Sequence, residues 1–182
     1  MNKYARSLLI GGNIWFLGEG MLGPLFAVFT ERVGGDIFDI TWAWATYLVA
    51  TGVLYIVVGK FVDGKRDARL VMCIGYALNA LFTFGYLLVD SPSDLFIVQL
   101  GLALANALAT PTWDAIYAKH EDPRHAALLW GIAGGGAQII TGIAVLIGGI
   151  IVTFGSFELL FWIMGITQVV ATIVQFRILR LK

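Results

Sequence analysis

Long apolar segments follow one another along the chain, separated by short polar stretches. Uncharged apolar runs cover 40–59, 70–89, 95–113, 126–157 and 159–176, and a further run, 8–29, is interrupted by Glu19 alone. A helix needs about 20 apolar residues to cross a hydrocarbon core about 30 Å thick. The pattern therefore predicts an all-α membrane protein of one domain, 1–182, with six transmembrane helices at approximately 8–29, 40–62, 70–89, 95–117, 126–154 and 158–177.

The composition excludes a soluble globular domain. Hydrophobic residues make up 59% of the chain and charged residues 13%, and the mean hydropathy is +0.84. Soluble domains carry about 25% charged residues, so this chain is built for an apolar solvent. The single cysteine, Cys73, lies inside the third apolar segment and provides no disulfide framework.

The charges between the apolar segments are distributed asymmetrically. Basic residues occur before the first segment, between the second and third, between the fourth and fifth, and after the sixth. Of the twelve basic residues, only Arg32 belongs to the opposite side. Because cytoplasmic loops carry an excess of Lys and Arg, this pattern predicts a multi-pass protein of the cell (inner) membrane with both termini in the cytoplasm.

The stretch GKFVDGKRDAR at 59–69 concentrates charge unusually. Six charged residues occupy these eleven positions, although the whole chain has only 12 Lys and Arg and 12 Asp and Glu. One interpretation is an ordinary basic cytoplasmic loop. That interpretation leaves Asp63 unexplained, and also Gly59, which lies four residues earlier on the same helical face.

This stretch resembles the signature that the major facilitator superfamily carries between its second and third helices, loosely Gly-x-x-x-Asp-Arg-x-Gly-Arg-Arg. Gly59 and Asp63 match it, although Gly64 replaces the first arginine. The resemblance implies one six-helix half of a transporter, built from two inverted three-helix repeats. It also implies a cytoplasmic latch, in which the loop acid caps a helix of the opposite half and Arg66 or Arg69 holds Asp114. The latch candidates are Gly59, Asp63, Lys65, Arg66, Arg69 and Asp114.

Two further stretches are similar to the same family. Residues 109–131 combine a proline, an acid one turn later, a short charged loop, and then Arg and Gly. Gly131, Gly148 and Gly149 keep the spacing of the glycine-rich fifth helix of drug antiporters, but Ala144 and Val145 stand where that motif has Gly-Pro. Small residues on a membrane helix allow close backbone approach, either within one bundle or between subunits.

A polar and aromatic stripe runs along the fourth segment. Its members are spaced by seven, four, three and four residues, which is one continuous helical face; they are Gln99, Asn106, Thr110, Trp113 and Tyr117. Such a stripe either faces a watery cavity or bonds to a neighbouring helix. Asn13 and Trp15 in the first segment and Gln138 in the fifth complete the candidates for a solute-binding cavity, together with Gln99, Asn106, Thr110 and Trp113.

Glu19 is the one carboxylate in the middle of an apolar segment. An intramembrane acid is costly and is usually functional, so we expect Glu19 to exchange a proton during transport. The alternative is a fixed structural hydrogen bond to a neighbouring helix. Some drug exporters of the family carry an acid in the first helix as a proton site, and Glu19 resembles it. With no cation in mid-segment to bind an anion, the aromatic lining favours a lipophilic or cationic solute.

Enzymatic chemistry is not indicated. His120 and His125 lie in one loop without convincing metal-ligand spacing, and every serine lies at the end of an apolar segment. The run GGGAQ at 134–138 lacks the Lys-Ser/Thr of a phosphate loop and follows no strand. We therefore predict no metal and no cofactor.

The sequence favours a secondary-active transporter that works by alternating access as a parallel homodimer of half-size units. The second and fifth segments would form the interface. Three alternatives remain open: a half that pairs with a separately encoded partner, a remnant without function, and a membrane scaffold or assembly protein. A scaffold would need neither a cavity nor a mid-segment acid.

Overall fold

A computed structural model describes residues 3–63 and 67–181. The described chain consists of helices joined by short turns. The α-helices are α1 Lys3–Gly20, α2 Leu25–Arg32, α3 Ile37–Asp63, α4 Ala68–Gly85, α5 Pro92–His120, α6 Ala126–Phe154 and α7 Phe157–Phe176, and short 3-10 turns occupy Tyr86–Leu88, Pro123–His125 and Arg177–Arg180.

Five of the described helices, α3 to α7 with their adjoining turns, are long and apolar enough to cross a membrane. The first predicted helix, 8–29, is not continuous, which corrects the sequence prediction. The chain leaves the helix at Met21–Pro24, where Gly23 has a positive φ of 21° and Pro24 has no backbone N–H to donate. The part before this break, α1, has 18 residues and includes the charged residues Lys3, Arg6 and Glu19.

Polar side chains at the turns set the beginnings of three helices. Ser91 and Asp94 form a capping box at the start of α5, and the Ser156 hydroxyl accepts a hydrogen bond from the backbone N–H of Leu159 at the start of α7. Asp67 caps α4 by accepting from the backbone N–H of Arg69. Each cap satisfies an amide that the first turn of a helix leaves without an internal partner.

The helices pack in a chain of neighbours. α4 lies between α5 and α7, α3 packs on the other side of α5, and α1 packs on α7 and α6. Gly75 allows the close contact of α4 with α5, since a Cβ atom there would come within 2.7 Å of the carbonyl oxygen of Ala105. α3 and α6 are therefore the outermost helices and are mostly exposed, whereas α4 and α5 are about half buried.

Both ends of the described chain lie at the same end of the bundle. The hydroxyl of Tyr4 donates a hydrogen bond of 2.8 Å to the carbonyl oxygen of Leu181. The ring of Tyr4 also stacks on His120 at the end of α5, with 4.1 Å between ring centroids. This end of the bundle, which we call the terminal side, carries the turn between α5 and α6 and both chain ends.

Candidate functional site

Two cavities lie along α1, on the face where α1 and α5 approach each other. The aromatic cavity, on the terminal side, has a volume of about 200 Å³ and is lined by Leu9, Gly12, Asn13, Trp15, Phe16, Tyr76, Ala109, Thr110, Trp113, Asp114, Trp130, Ala133, Gly134 and Ala137. The Glu19 cavity, toward the opposite end, has a volume of about 120 Å³ and is lined by Glu19, Leu22, Gly23, Phe26, Trp44, Tyr47, Thr83, Tyr86, Gln99, Leu102 and Met164.

Glu19 shares its cavity with aromatic side chains that carry a hydroxyl or indole group. The indole of Trp15, one turn earlier on α1, offers it a hydrogen bond. Tyr47 and Tyr86 line the same cavity as Glu19. None of the described residues that line the Glu19 cavity is basic. The described lining of this cavity therefore supplies Glu19 with polar aromatic neighbours and no side-chain cation.

Trp15 and Tyr76 pack against each other in the lining of the aromatic cavity. Their rings meet edge to face with 4.6 Å between centroids. Trp15 also offers a hydrogen bond to Glu19, which lines the other cavity. The backbone of Trp15 is held in turn by Gln168 of α7, whose side-chain amide donates to the Trp15 carbonyl oxygen at 3.0 Å.

Asn106 joins α3 to α5. Its side-chain oxygen accepts hydrogen bonds from the hydroxyl of Tyr55 at 2.6 Å and from that of Thr110 at 2.7 Å. Its amide nitrogen donates to the hydroxyl of Tyr47 at 2.6 Å. In this conformation Asn106 is therefore an interhelical hydrogen-bonding group, and it lines neither cavity.

The other members of the stripe on α5 have different surroundings. Gln99 is 2% exposed and lines the Glu19 cavity, so the structure brings it together with Glu19. Thr110 and Trp113 line the aromatic cavity with Asn13 and Trp15. Tyr117 is buried and donates to the carbonyl oxygen of Leu129 at 2.8 Å. The stripe thus contacts both cavities and three neighbouring helices, α1, α3 and α6.

Gln138 does not share a site with the other cavity candidates. It is exposed on α6 and lies outside the described linings of both cavities. The contact of this helix with Asn13 is made at Gly136, where a Cβ atom would lie 3.5 Å from the Asn13 side-chain oxygen.

The latch candidates are only partly described. Lys65 and Arg66 lie outside the described residues, and Asp63 is the last residue of α3. The Arg69 guanidinium bonds both carboxylate oxygens of Asp67, at 3.0 and 2.9 Å, and its hydrogen bond to that carboxylate holds the pKa of Asp67 below its ordinary value. Asp114 lines the aromatic cavity, and no basic residue in the described ranges forms an ion pair with it. Arg69 and Asp114 are not brought together.

Sequence reasoning missed several residues around these cavities. Five aromatic residues take part in the linings or in the Asn106 contacts: Tyr47 and Tyr55 on α3, Tyr76 on α4, Tyr86 in the turn that follows α4, and Trp130 on α6. Hydroxyl groups within long apolar segments were a signal that could have identified the tyrosines, because a phenol in a membrane helix needs a hydrogen-bond partner.

Comparisons with known proteins agree with the earlier resemblance. The chain matches the model of the Major Facilitator Superfamily over residues 8–182. It is 22% identical over 182 residues to the uncharacterized MFS-type transporter MJ1560 of Methanocaldococcus jannaschii, covering 97% of this chain and 46% of that protein. It is 24% identical over 157 residues to the uncharacterized MFS-type transporter YvkA of Bacillus subtilis, covering 86% of this chain and 35% of that protein. The chain spans less than half the length of these curated relatives.

Proposed function

Because the chain belongs to the major facilitator superfamily, we propose that it is a secondary-active transporter of a small lipophilic or cationic solute. The observation that carries this proposal is the position of Glu19. It lines a cavity inside the bundle, among tyrosines and with no basic residue in the described lining. A carboxyl group in such surroundings can alternate between a neutral, protonated form and a charged form that attracts a cation.

Proton coupling follows from the same position. A proton on Glu19 and a cationic solute near Glu19 would compete, since each neutralises the same charge. Alternating access would then expose Glu19 to the two sides of the membrane in turn, exchanging a proton for the solute. Enzymatic catalysis plays no part in this proposal.

The partner of this half-length unit is, in our proposal, a second copy of the chain. α3 and α6 flank the face that carries both cavities, and both helices are mostly exposed. On α6, Gly131, Gly142 and Gly149 have no neighbouring atom within 4 Å of the place where a side chain would begin. Two copies in the same orientation can meet through these helices about a two-fold axis. A separately encoded half is the alternative partner.

We also propose how the protein is oriented in the membrane. We propose that α1 and α2 together make a sixth crossing, bent at Met21–Pro24. The protein would then lie in the inner membrane of the cell, with the terminal side facing the cytoplasm. The hydrogen bond from Tyr4 to Leu181, which joins the two chain ends, supports an even number of crossings, and the basic residues concentrated on that side support its cytoplasmic location.

Flux measurements test the proposal. Purified protein in proteoliposomes should move a fluorescent lipophilic cation when a pH gradient is applied, and should move less when the gradient is collapsed with an ionophore. Protein-free liposomes give the background. A complete absence of flux for a panel of cations and neutral lipophilic compounds, with folded protein, would favour the scaffold interpretation.

A further inference from the structure

A third cavity opens at the end of the bundle opposite the terminal side, where α2 ends and α7 begins. Its residues come from α2, from the turn after α4 and from the first two turns of α7. We call this cavity the interfacial bowl. It has a volume of about 390 Å³ and is lined by Phe29, Arg32, Val33, Tyr86, Leu87, Val89, Asp90, Phe157, Glu158 and Phe161.

Packed aromatic rings form the floor of the interfacial bowl. Phe29 meets Phe161 edge to face with 4.7 Å between ring centroids, and Tyr86 stacks on Phe161 at 5.1 Å. The ring of Phe157 lies 5.3 Å from that of Phe29. All four side chains are buried. The core of the protein therefore fixes the shape of the bowl before anything binds in it.

The rim of the bowl carries charges of both signs. Arg32, Asp90 and Glu158 are exposed and line the same cavity. The guanidinium of Arg32 lies over the ring of Phe157, 5.6 Å from its centroid. Every Asp and Glu of the chain lies within the described ranges, and none of them forms an ion pair with Arg32. The bowl thus holds one positive and two negative groups apart from one another.

The two acids of the rim have no ion pair with a described basic residue either. The positions that the structure does not describe adjoin residues 3, 63, 67 and 181 in the chain, whereas the rim lies beyond the other ends of α4 and α7. These helices have 18 and 20 residues, so they are about 27 and 30 Å long. The distance exceeds the reach of a side chain, and the charges of the rim are free to meet a ligand.

The bowl lies at the depth of the lipid headgroups. The membrane-crossing helices beside it end at Leu88 and begin at Phe157. Toward the middle of the membrane, the outer surface of α4 and α7 is apolar: Leu81 and Trp162 are exposed, and the Trp162 ring packs on Phe84 with 5.6 Å between centroids. A molecule in the bowl can therefore place charged groups at the rim and hydrocarbon on this surface.

We propose that the interfacial bowl binds the headgroup of a phospholipid that carries both a phosphate and a primary ammonium group. In this proposal Arg32 binds the phosphate, because a guanidinium pairs with phosphate oxygens through two parallel N–H donors. Asp90 and Glu158 bind the ammonium, whose three donors can serve two carboxylates. The acyl chains lie on the apolar surface of α4 and α7. The site does not depend on the proposed transport function.

Other phospholipids match the charges of the bowl less well. Phosphatidylcholine has the phosphate, but its quaternary ammonium has no N–H to donate to the carboxylates. Phosphatidylglycerol has the phosphate and no cation, so its negative charge would lie beside those of Asp90 and Glu158. The order of affinity should therefore be phosphatidylethanolamine, then phosphatidylcholine, then phosphatidylglycerol.

Native mass spectrometry of the full-length chain, titrated with each of these three lipids, tests the proposal. Phosphatidylethanolamine should bind at least about threefold more tightly than phosphatidylcholine, because it makes charge-assisted hydrogen bonds that the choline group cannot make. Arg32→Gln should weaken the binding of both lipids roughly three- to tenfold, since both carry the phosphate and the site is exposed. The double variant Asp90→Asn/Glu158→Gln should lose the preference for ethanolamine over choline.

Matched variants separate the bowl from general effects of charge. Arg32→Lys keeps the positive charge and loses the planar pair of donors, so its affinity should lie between those of the unmodified chain and Arg32→Gln. Glu31→Gln changes an exposed acid that adjoins Arg32 and lies outside the described lining, and it should leave the preference unchanged. Melting temperatures should confirm that each variant is folded.

Photo-crosslinking in nanodiscs locates the bound lipid. Phosphatidylethanolamine with a diazirine in its acyl chain, close to the glycerol, should label peptides that contain 81–88 or 157–166. Arg32→Gln should reduce this labelling and leave the labelling of α3 and α6 as it was. Equal labelling in both proteins would contradict a lipid held by the bowl.

The remaining outcomes are equally definite. Unchanged lipid affinity in Arg32→Gln would overturn the proposal, as would an ethanolamine preference that survives in Asp90→Asn/Glu158→Gln. Displacement of the lipid by soluble phosphoethanolamine at the same concentration would assign the bowl to a soluble zwitterion and overturn the lipid proposal. An ethanolamine preference that depends on the rim, without flux in proteoliposomes, would refute the transport function and leave the lipid site standing.

Discussion

Tyr55 of α3 donates a hydrogen bond of 2.6 Å to the side-chain oxygen of Asn106 on α5. Asn106 returns a bond of the same length to Tyr47, two turns earlier on α3. This pairing fixes the register of α3, an outer helix that otherwise depends on apolar contacts with α5 and α2. Since Tyr47 lines the Glu19 cavity and Thr110 lines the aromatic cavity, the Asn106 network also links the walls of both.

Replacing Asn106 should therefore destabilise the bundle. Asn106→Leu leaves the hydroxyls of Tyr47 and Tyr55 without their partner, and we expect a loss of about 1–2 kcal/mol in the free energy of unfolding. Unfolding in mixed micelles of increasing SDS content measures this loss.

Asn79 provides a matched comparison, because its fully buried amide has no hydrogen-bond partner among the described residues. Asn79→Leu should be neutral or stabilising, since an unsatisfied buried amide is replaced by an apolar group of similar size. Equal destabilisation by the two substitutions would show that the Asn106 bonds contribute nothing specific.

Glu19→Gln should separate proton coupling from solute movement. The variant keeps the size and polarity of the side chain and cannot carry a charge, so uptake driven by a pH gradient should disappear while expression persists. Downhill exchange of the solute should continue at a reduced rate. Gln99→Ala, in the same cavity, is the control: it should alter the rate and keep the dependence on the gradient. Unchanged pH-driven uptake in Glu19→Gln would exclude Glu19 as the coupling group.

Cysteine cross-linking should detect the second copy. In a chain without Cys73, single cysteines at Gly142 or Gly149 on α6, or within 50–54 on α3, should form copy-to-copy disulfides. Leu81 on α4 and Ile166 on α7 are also exposed but belong to the opposite face, so cysteines there should not cross-link. Gly148 is unsuitable because its backbone packs against Met21. Native mass spectrometry that detects only monomers in nanodiscs would favour a separately encoded partner.

The latch can be tested at Asp63, the last residue of α3. If Asp63 caps a helix of the partner copy, Asp63→Asn should weaken closure of the terminal side, because the amide no longer carries the charge that a helix N-terminus favours. A cysteine at Thr110 should then react faster with a water-soluble maleimide. Asp36→Asn, beside the other end of α3, is the control and should leave that rate as it was.

The stabilisation of the fold by the Asp67 carboxylate should depend on pH. Its pKa is lowered by the hydrogen bond from Arg69, so the stabilisation by the ionised form is present above the ordinary pKa and is lost as the pH falls through the lowered one. Asp67→Ala should cost about 1 kcal/mol by removing the cap of α4, and Asp67→Asn should cost less because Asn also caps. The melting temperatures of the unmodified chain and of Asp67→Asn, measured from pH 7 down to pH 3, should differ at pH 7 and become equal in acid.

Much of the helical architecture was predictable, because hydropathy and helix caps are local properties of the sequence. Five of the predicted helices match, to within a few residues at each end, helices of the structure that are apolar and long enough to cross a membrane. The resemblance to the transporter family is confirmed. The break at Met21–Pro24 was harder to foresee. A Gly-Pro pair permits a continuous kinked helix as well as an interruption, and the packing of Gly148 against Met21 belongs to the assembled bundle.

The sequence by itself determined that the chain prefers hydrocarbon, that its basic residues fall mainly in alternate connections between apolar segments and that Glu19 lies alone in an apolar segment. These properties follow from the side chains and their order. Only the tertiary structure decided which groups meet. Asn106 finds two tyrosines of α3, Arg69 finds Asp67 in place of Asp114, and Asp114 shares a cavity with Trp15 and Trp130. Partners of this kind depend on how helices cross and rotate against one another, and packing along the whole length of each helix sets that geometry.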